Sequence, residues 1–207
     1  MKKGVLLVNL GSPNSTSVKD VKNYLDEFLM DKRVIDIPYL VRAFVVKGII
    51  LNTRPKKSAE AYKKIWWDEG SPLIVLSERL HKKVQTQTDI PVELAMRYGN
   101  PSIKSGIQKL ANKGVTEIYL IPLYPQFAMA TTETIVVLAN QIIKKQFPNI
   151  KIIDVPAFYK QPDYIEAYIL KAEISSYQGL NIATIESYEK VLELWPNPKP
   201  SIYYSLA

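Results

Sequence analysis

The chain contains no cysteine and only one histidine among its 207 residues. The absence of cysteine excludes disulfides, thiolate metal sites and iron–sulfur clusters, and it gives no indication of the redox compartment. The single histidine, His81, lies in the sequence ERLHKK on a predicted helix with charged neighbours. We therefore expect His81 to be solvated, and we predict no metal ligand in this chain.

The chain also lacks a long uninterrupted apolar run. Its N-terminus reads MKK and then enters a short apolar strand, which is too short for a signal peptide and has no cleavage pattern, so we expect a cytoplasmic protein. Residues 34–51 are rich in apolar side chains, but Arg42 and Lys47 interrupt them too often for a membrane-spanning helix. The periodicity of this segment fits either a buried helix or an amphipathic element at a membrane surface.

The net charge is +7, and 47% of the residues are hydrophobic, which is ordinary for a packed globular protein. A basic balance suits an anionic partner such as membrane lipid, an anionic small molecule or nucleic acid. Nucleic-acid binding would need clustered arginines with base-stacking aromatic residues, and the sequence has no such module. We therefore expect no nucleic-acid partner.

Short β-branched runs alternate with longer helical patterns along the chain. Alternation of this kind predicts a parallel sheet with helices on both faces. The predicted strands are Val5–Asn9, Val92–Arg97, Glu117–Leu123 and Lys151–Val155. The predicted helices are Val18–Met30, Pro38–Leu51, Pro55–Trp67, Leu73–Gln87, Pro101–Asn112 and Thr131–Gln146.

Three of these strands continue into loops that carry polar or aromatic residues, at residues 4–13, 92–101 and 120–134. Because open α/β sheets bind ligands at the carboxyl ends of their strands, we expect these three strand ends to meet at one crevice.

Asp68 and Glu69 are a poor acid–base pair, since adjacent side chains at a helix end point apart.

Five segments together resemble the ferrochelatase family, in that family's order and close to its spacing. They read VNLGSP (8–13), FLMDKRVIDIP (28–38), NTRPKKSAEAYKKIWWDEGSPL (52–73), AMRYGNPSI (95–103) and LYPQFAMATTET (123–134). The resemblance covers residues 2–164. It implies a chelatase-like (Rossmann-like) α/β fold, with a four-stranded parallel sheet and helices on both faces.

The resemblance implies a metal-inserting lyase of haem biosynthesis that places ferrous iron in a porphyrin. Porphyrin and ferrous iron are then substrates, and no cofactor is expected. The resemblance also implies which residues bind the porphyrin. Those residues are Leu10, Arg97, Tyr98 and Phe127 around the macrocycle, and Arg54 as a candidate propionate partner.

In this family, the region matching residues 28–51 forms a hydrophobic lip over the pocket and in several members touches the membrane. The lip residues that the resemblance implies are Phe28, Leu29, Met30, Val34, Ile35 and Ile37. This implies a protein that is cytoplasmic and associated with the inner face of the membrane.

The family handles its metal with a histidine in a later SYHG-like strand end and with a glutamate further on. Neither has a counterpart in this chain, so we predict no catalytic residue here and no metal insertion by this chain alone. The nearest match is Ser176–Tyr177–Gln178–Gly179. Its glutamine cannot act as a base at neutral pH, and the preceding AYILKAEI favours a helix over a strand.

The tail, residues 164–207, predicts a short C-terminal helical hairpin and no strand. Several of its residues follow the tetratricopeptide helix–turn–helix pattern, although a generic hairpin fits equally well. We therefore divide the chain into a lobe at 1–163 and a helical tail at 164–207 that offers a surface for a protein partner. Truncation, gene fusion or a composite sequence would each produce this arrangement.

Two classes of function remain open. The first is a ferrochelatase whose catalytic residues lie outside this chain, either lost or carried by a separate polypeptide. The second is a non-catalytic module that binds a tetrapyrrole or acts as a scaffold. The missing histidine favours the second for this chain alone, whereas the five segments favour the first.

Overall fold

A computed structural model describes residues 1–195 of the chain. It divides the chain into two compact units, Met1–Pro156 and Ala157–Ala207, and the second is described as far as Trp195. This division falls shortly before the domain boundary that we expected between residues 163 and 164. The predicted boundary itself stays a prediction.

The first unit contains one sheet of four parallel strands in the order β2-β1-β3-β4. The strands are β1 Lys3–Asn9, β2 Val92–Met96, β3 Glu117–Pro122 and β4 Lys151–Asp154. Val5 pairs with Val92 on one side and with Tyr119 on the other, which places β1 inside the sheet. The predicted four-stranded parallel sheet is therefore confirmed.

Helices cover both faces of the sheet. The face-covering helices are α4 Pro72–Thr86 on one side and α5 Ile103–Asn112 and α6 Thr134–Gln146 on the other. The other helices of this unit are α1 Val18–Leu29, α2 Tyr39–Ala43 and α3 Leu51–Ile65, and α1 packs against α3. Because side chains alternate along a strand, Leu6 packs in a core with Ile107 of α5 and Ile135 of α6. Leu7, one residue on, packs instead in a core that Leu73 of α4 adjoins.

The helical bounds differ from the prediction between residues 38 and 67. Instead of two helices separated before Pro55, the backbone continues from α2 through a π-helical segment, Phe44–Ile50, into α3, which contains Pro55. Proline lacks the N–H that a helix needs, and the wider π turn leaves carbonyls open. Side chains donate to carbonyls of the π-helical segment, since Asn52 Nδ2 lies 2.8 Å from the Gly48 carbonyl and Thr53 Oγ1 lies 2.9 Å from that of Ile49.

The same difference appears before α6, where the predicted helix from Thr131 begins as a π-helical turn, Met129–Glu133. The other strand and helix ends agree with the sequence to within two residues or fewer. Ser17 caps α1 by accepting a hydrogen bond from the Asp20 N–H at 3.1 Å, and Ser102 caps α5 in the same way.

The second unit is a helical hairpin of α7 Pro162–Tyr177 and α8 Asn181–Leu194. Gly179 makes the turn with a φ of 72°, and the two helices share a core built on Ala172, Tyr188 and Val191. The predicted hairpin is confirmed for residues 164–195. Its likeness to a tetratricopeptide repeat stays a prediction, and residues 196–207 lie outside the described part of the chain.

Candidate functional site

The order of the strands creates a crevice between β1 and β3. The chain leaves β1 toward β2 on one side and leaves β3 toward β4 on the other, so the connections diverge at these two neighbours. Ligands of open α/β sheets bind where such connections diverge, beyond the carboxyl ends of the strands. Leu10 follows β1 at this point, and Leu123 continues β3 beside it by donating its N–H to the Val8 carbonyl at 2.7 Å.

The end of β2 runs along the same edge. The Arg97 N–H donates to the Asn9 carbonyl at 2.8 Å, and the Tyr98 N–H donates to the Leu10 carbonyl at 2.8 Å. The structure therefore brings Leu10, Arg97 and Tyr98 together, as neighbouring backbone at the carboxyl edge of the sheet.

Asp31, which follows α1, joins this group through its carboxylate. Its Oδ2 accepts hydrogen bonds from Arg97 Nη2, from the Tyr98 hydroxyl at 3.0 Å and from Thr134 Oγ1 at 2.5 Å. Its Oδ1 accepts the Arg33 N–H at 2.8 Å, and its side chain is only 7% exposed. Asp31 and Thr134 were not among the site residues that the sequence indicated.

Electrostatics keep this cluster in one charge state. Burial alone would raise the pKa of Asp31, but hydrogen bonds from Thr134 and from the Arg33 backbone, with the charge of Arg97, lower it below its ordinary value. Burial raises the pKa of Tyr98 to about 12. At neutral pH the carboxylate is therefore ionised and the Tyr98 phenol is neutral.

Arg97 borders a cavity of about 440 Å³ between α1 and α6. Met30, Leu138 and Lys32 also line it, as do the acidic Glu27 and Asp31, so apolar, basic and acidic side chains all border this space. Leu10, Tyr98 and Phe127 do not line this cavity. That Leu10, Arg97, Tyr98 and Phe127 face one crevice stays a prediction.

Tyr98 is fully buried, and its ring packs edge-on against Phe28 with centroids 5.2 Å apart. In this conformation its ring supports the site from within instead of facing a ligand. Two further tyrosines, Tyr24 and Tyr124, lie near it, and burial raises the pKa of both. Tyr24 donates to the Gly11 carbonyl at 3.3 Å, so this group holds the turn after β1.

The remaining predicted porphyrin contacts are open to solvent. Leu10 is half-buried, Phe127 is 61% exposed on the loop after β3, and Arg54 is exposed in the first turn of α3. Their contact with a porphyrin stays a prediction.

Each of the six predicted lip residues is half-buried. The most exposed apolar side chains of this region belong to α2 and the π-helical segment, namely Tyr39, Leu40, Val41, Phe44 and Ile49, which are 50–79% exposed. The lip segment is held from beneath by the buried Arg42, whose Nη1 donates to the carbonyls of Ile35 and Ile37 at 3.0 and 3.1 Å.

The expectation that His81 is solvated was wrong. His81 is half-buried on α4, and its Nε2 lies 3.0 Å from the carbonyl of Val92 on the outer edge of β2. Gln85, one turn later, accepts the Val92 N–H at 2.8 Å. The only histidine thus pairs with a backbone carbonyl of an edge strand, which gives it a structural role on a helix of charged residues.

Ser176 and Tyr177 lie in the last turn of α7, and Gln178 ends that helix. The segment is helical, so it does not form the strand end that the family's SYHG sequence would need. Across residues 1–195, no group of three or more His, Asp or Glu side chains is placed to hold a metal ion. Among the same residues, no helix is both long enough and apolar enough to cross a membrane.

Comparison with known proteins identifies relatives of this lobe. Proteins named ferrochelatase from Ectopseudomonas mendocina (strain ymp) and Stutzerimonas stutzeri (strain A1501) are 48% and 47% identical to the chain over 178 and 181 residues. These matches cover 86% and 87% of this chain but 52% and 53% of the relatives. A ferrochelatase from Pseudomonas fluorescens (strain Pf0-1) is 51% identical over 169 residues, which are 81% of this chain and 49% of the relative.

The chain spans about half the length of the curated relatives it matches. These matches do not favour the alternative of a non-catalytic binding or scaffold module. The sequence model of the ferrochelatase family matches residues 2–185, and so extends past residue 164, where we expected the resemblance to end. Because this match covers most of the chain, the chain belongs to the ferrochelatase family.

Proposed function

We propose that this chain is the porphyrin-binding lobe of a ferrochelatase, which inserts ferrous iron into a porphyrin to make haem. The observation that carries the proposal is the backbone pairing of Arg97 and Tyr98 with Asn9 and Leu10 at the carboxyl edge of the sheet. It puts a fixed cation beside a half-buried apolar side chain at the crevice where α/β sheets bind ligands.

Binding a porphyrin requires an apolar surface for the macrocycle and cations for its propionates. We propose that Leu10 and Phe127 contact the ring and that Arg54 and Arg97 hold propionates. Arg54 supports this role by being exposed without an ion-pair partner among residues 1–195. Arg97 supports it by lining an open cavity.

Metal insertion also needs a base for the pyrrole protons and ligands that deliver the ion. The only imidazole of the chain, His81, is engaged with a backbone carbonyl of β2. We therefore propose that this chain alone does not insert metal, and that the catalytic histidine and glutamate belong to the half of the relatives that it does not match.

Two further proposals concern partners. The exposed apolar side chains of α2 and the π-helical segment, with Lys47 among them, suit shallow contact with an anionic membrane surface, and we propose this at the cytoplasmic face. On the hairpin, Leu170, Ile174 and Ile182 are exposed by half or more, which supports a protein partner for the tail.

The test is a porphyrin fluorescence assay on the purified chain. We expect added chain to change the fluorescence of a dicarboxylic porphyrin through binding, and ferrous or zinc ion to be incorporated no faster than without protein. The His81→Ala variant should behave like the parent. Insertion at enzymatic rates by the parent would contradict the proposal, and loss of that activity in the variant would make His81 the residue responsible.

A further inference from the structure

We propose that Asp31 is a positioning residue for ligand binding, which holds the Arg97 guanidinium in one orientation so that a single nitrogen is left to receive a ligand carboxylate. This inference rests on the proposed porphyrin-binding function and deepens it. Asp31 itself need not touch the ligand.

The first support is the number of donors that converge on one carboxylate. Arg97, Tyr98 and Thr134 all donate to Oδ2, and the Arg33 backbone donates to Oδ1. A buried carboxylate is stable only when its oxygens are satisfied in this way, so its position is well determined. Asp31 lies outside any helix or strand, and the three bonds to Oδ2 link its loop to the residues after β2 and to the start of α6.

The second support is the state of the Arg97 guanidinium. Its Nη2 donates to Asp31, and its Nε donates to Thr134 Oγ1 at 2.6 Å and to the Thr134 carbonyl at 3.2 Å. Its plane lies over the Tyr98 ring, 4.2 Å from the centroid. Nη1 has no hydrogen-bond partner in the described part of the chain, and the residue lines the 440 Å³ cavity.

A guanidinium usually recognises a carboxylate through two parallel hydrogen bonds. Here two of its three nitrogens are already engaged, so Arg97 offers Nη1 alone. Because the side chain is held before the ligand arrives, less rotamer entropy is lost on binding. Held by Asp31 and Thr134, Arg97 therefore gives one directed, charged hydrogen bond, which discriminates between a carboxylate and its uncharged ester.

The experiment measures the affinity of the full chain for deuteroporphyrin IX and for its dimethyl ester, both in the same detergent, by fluorescence titration. We expect the parent to prefer the dicarboxylate. Asp31→Asn and Arg97→Ala should each reduce dicarboxylate affinity about tenfold, the magnitude typical of a hydrogen bond to a charged group, and leave ester affinity unchanged. The double variant should lose no more than either single variant, since Asp31 acts through Arg97.

Glu117→Gln is the matched control. Glu117 is also a buried, paired carboxylate, 9% exposed and 3.7 Å from Lys151 Nζ, but it lies at the amino end of β3. Its substitution should lower the thermal unfolding midpoint and keep the dicarboxylate preference.

The outcomes separate the two proposals. Binding of neither porphyrin by the parent would overturn the proposed function together with the role of Asp31. Parent binding with an unchanged preference in Asp31→Asn would overturn the role of Asp31 alone, as would fully additive losses in the double variant. Equal losses for both porphyrins would show a structural role instead of a positioning one.

Discussion

Asp31 joins segments that are far apart along the chain, since its partners Arg97, Tyr98 and Thr134 lie 66, 67 and 103 residues away. This distance is why the sequence indicated Arg97 and Tyr98, which follow a strand, but not Asp31. A carboxylate between apolar and basic residues in FLMDKR was the only local signal. Which donors reach it depends on the pairing of β1 with β2 and on the start of α6, neither of which a local pattern contains.

The pH dependence of stability should report the state of Asp31. Its pKa in the folded chain is below the ordinary 3.8, so the unfolded chain binds its proton more readily. The stabilisation by Asp31 is therefore complete above that value and is lost as the pH falls through the pKa of the folded chain. As the pH falls below 3.8, this contribution should disappear. We expect the difference in unfolding free energy between the parent and Asp31→Asn to shrink over that range, measured by urea unfolding at a series of pH values.

Asp154, whose pKa is also shifted, does not affect the stability difference between the parent and Asp31→Asn. Burial raises its pKa, which is the opposite effect on stability, but both proteins contain it and its contribution cancels in the difference. A difference that stays constant down to the lowest pH at which the chain folds would contradict the assignment.

His81→Ala should lower stability without affecting porphyrin binding. The change removes the partner of the Val92 carbonyl on an edge strand, and the expected cost is about 1 kcal/mol of unfolding free energy. Denaturant unfolding measures it, with Lys82→Ala, an exposed neighbour, as the control. Equal stability of the two variants would show that the hydrogen bond of His81 contributes nothing.

At the scale of the elements, the four strands were predictable because each is a short apolar run bounded by polar or turn residues. The sequence also predicted α1, α4 and α5 closely, since an apolar period and a start or stop signal coincide there. The π-helical segment Phe44–Ile50 was not predictable. In it the Gly48 and Ile49 carbonyls accept hydrogen bonds from the Asn52 and Thr53 side chains, and the helix continues through a proline, a residue that normally begins one.

The packing of α5 on the sheet gives a prediction about two glycines. A Cβ at Gly106 would lie 2.6 Å from Leu6 Cδ1 and 3.3 Å from Ala95 Cβ, so Gly106→Ala should force α5 away from the core and cost about 1–3 kcal/mol. At Gly48 the nearest atom would be 3.8 Å away, an ordinary contact. Gly48→Ala should therefore be neutral or stabilise by up to about 1 kcal/mol.

Thermal or urea unfolding of the two variants checks this pair. The prediction fails if Gly106→Ala is as stable as the parent, because there would then be room for a methyl group between α5 and β1. Destabilisation by Gly48→Ala would mean that the π-helical segment needs a glycine for a reason other than space.

At the scale of the whole molecule, the apolar cores fall into separate sets. The cores on the two faces of the sheet use residues between Val5 and Ile152, whereas that of the hairpin uses residues between Tyr159 and Trp195. We expect a fragment ending at Pro156 to unfold cooperatively, with a midpoint within about 5 °C of the parent. Circular dichroism on heating measures this, and a fragment without a cooperative transition would show that the sheet needs the hairpin.

The inner position of β1 also determines when the sheet can be completed during protein synthesis. Lys3 pairs with Glu117, which is translated much later than β1, so one edge of β1 stays open until β3 has left the ribosome. At a translation rate of about 5–20 residues per second that interval is roughly 6–23 seconds. The cores around Leu6 and Leu7 include β3 residues and stay incomplete for this period, so we expect the nascent lobe to bind chaperones until its third strand arrives.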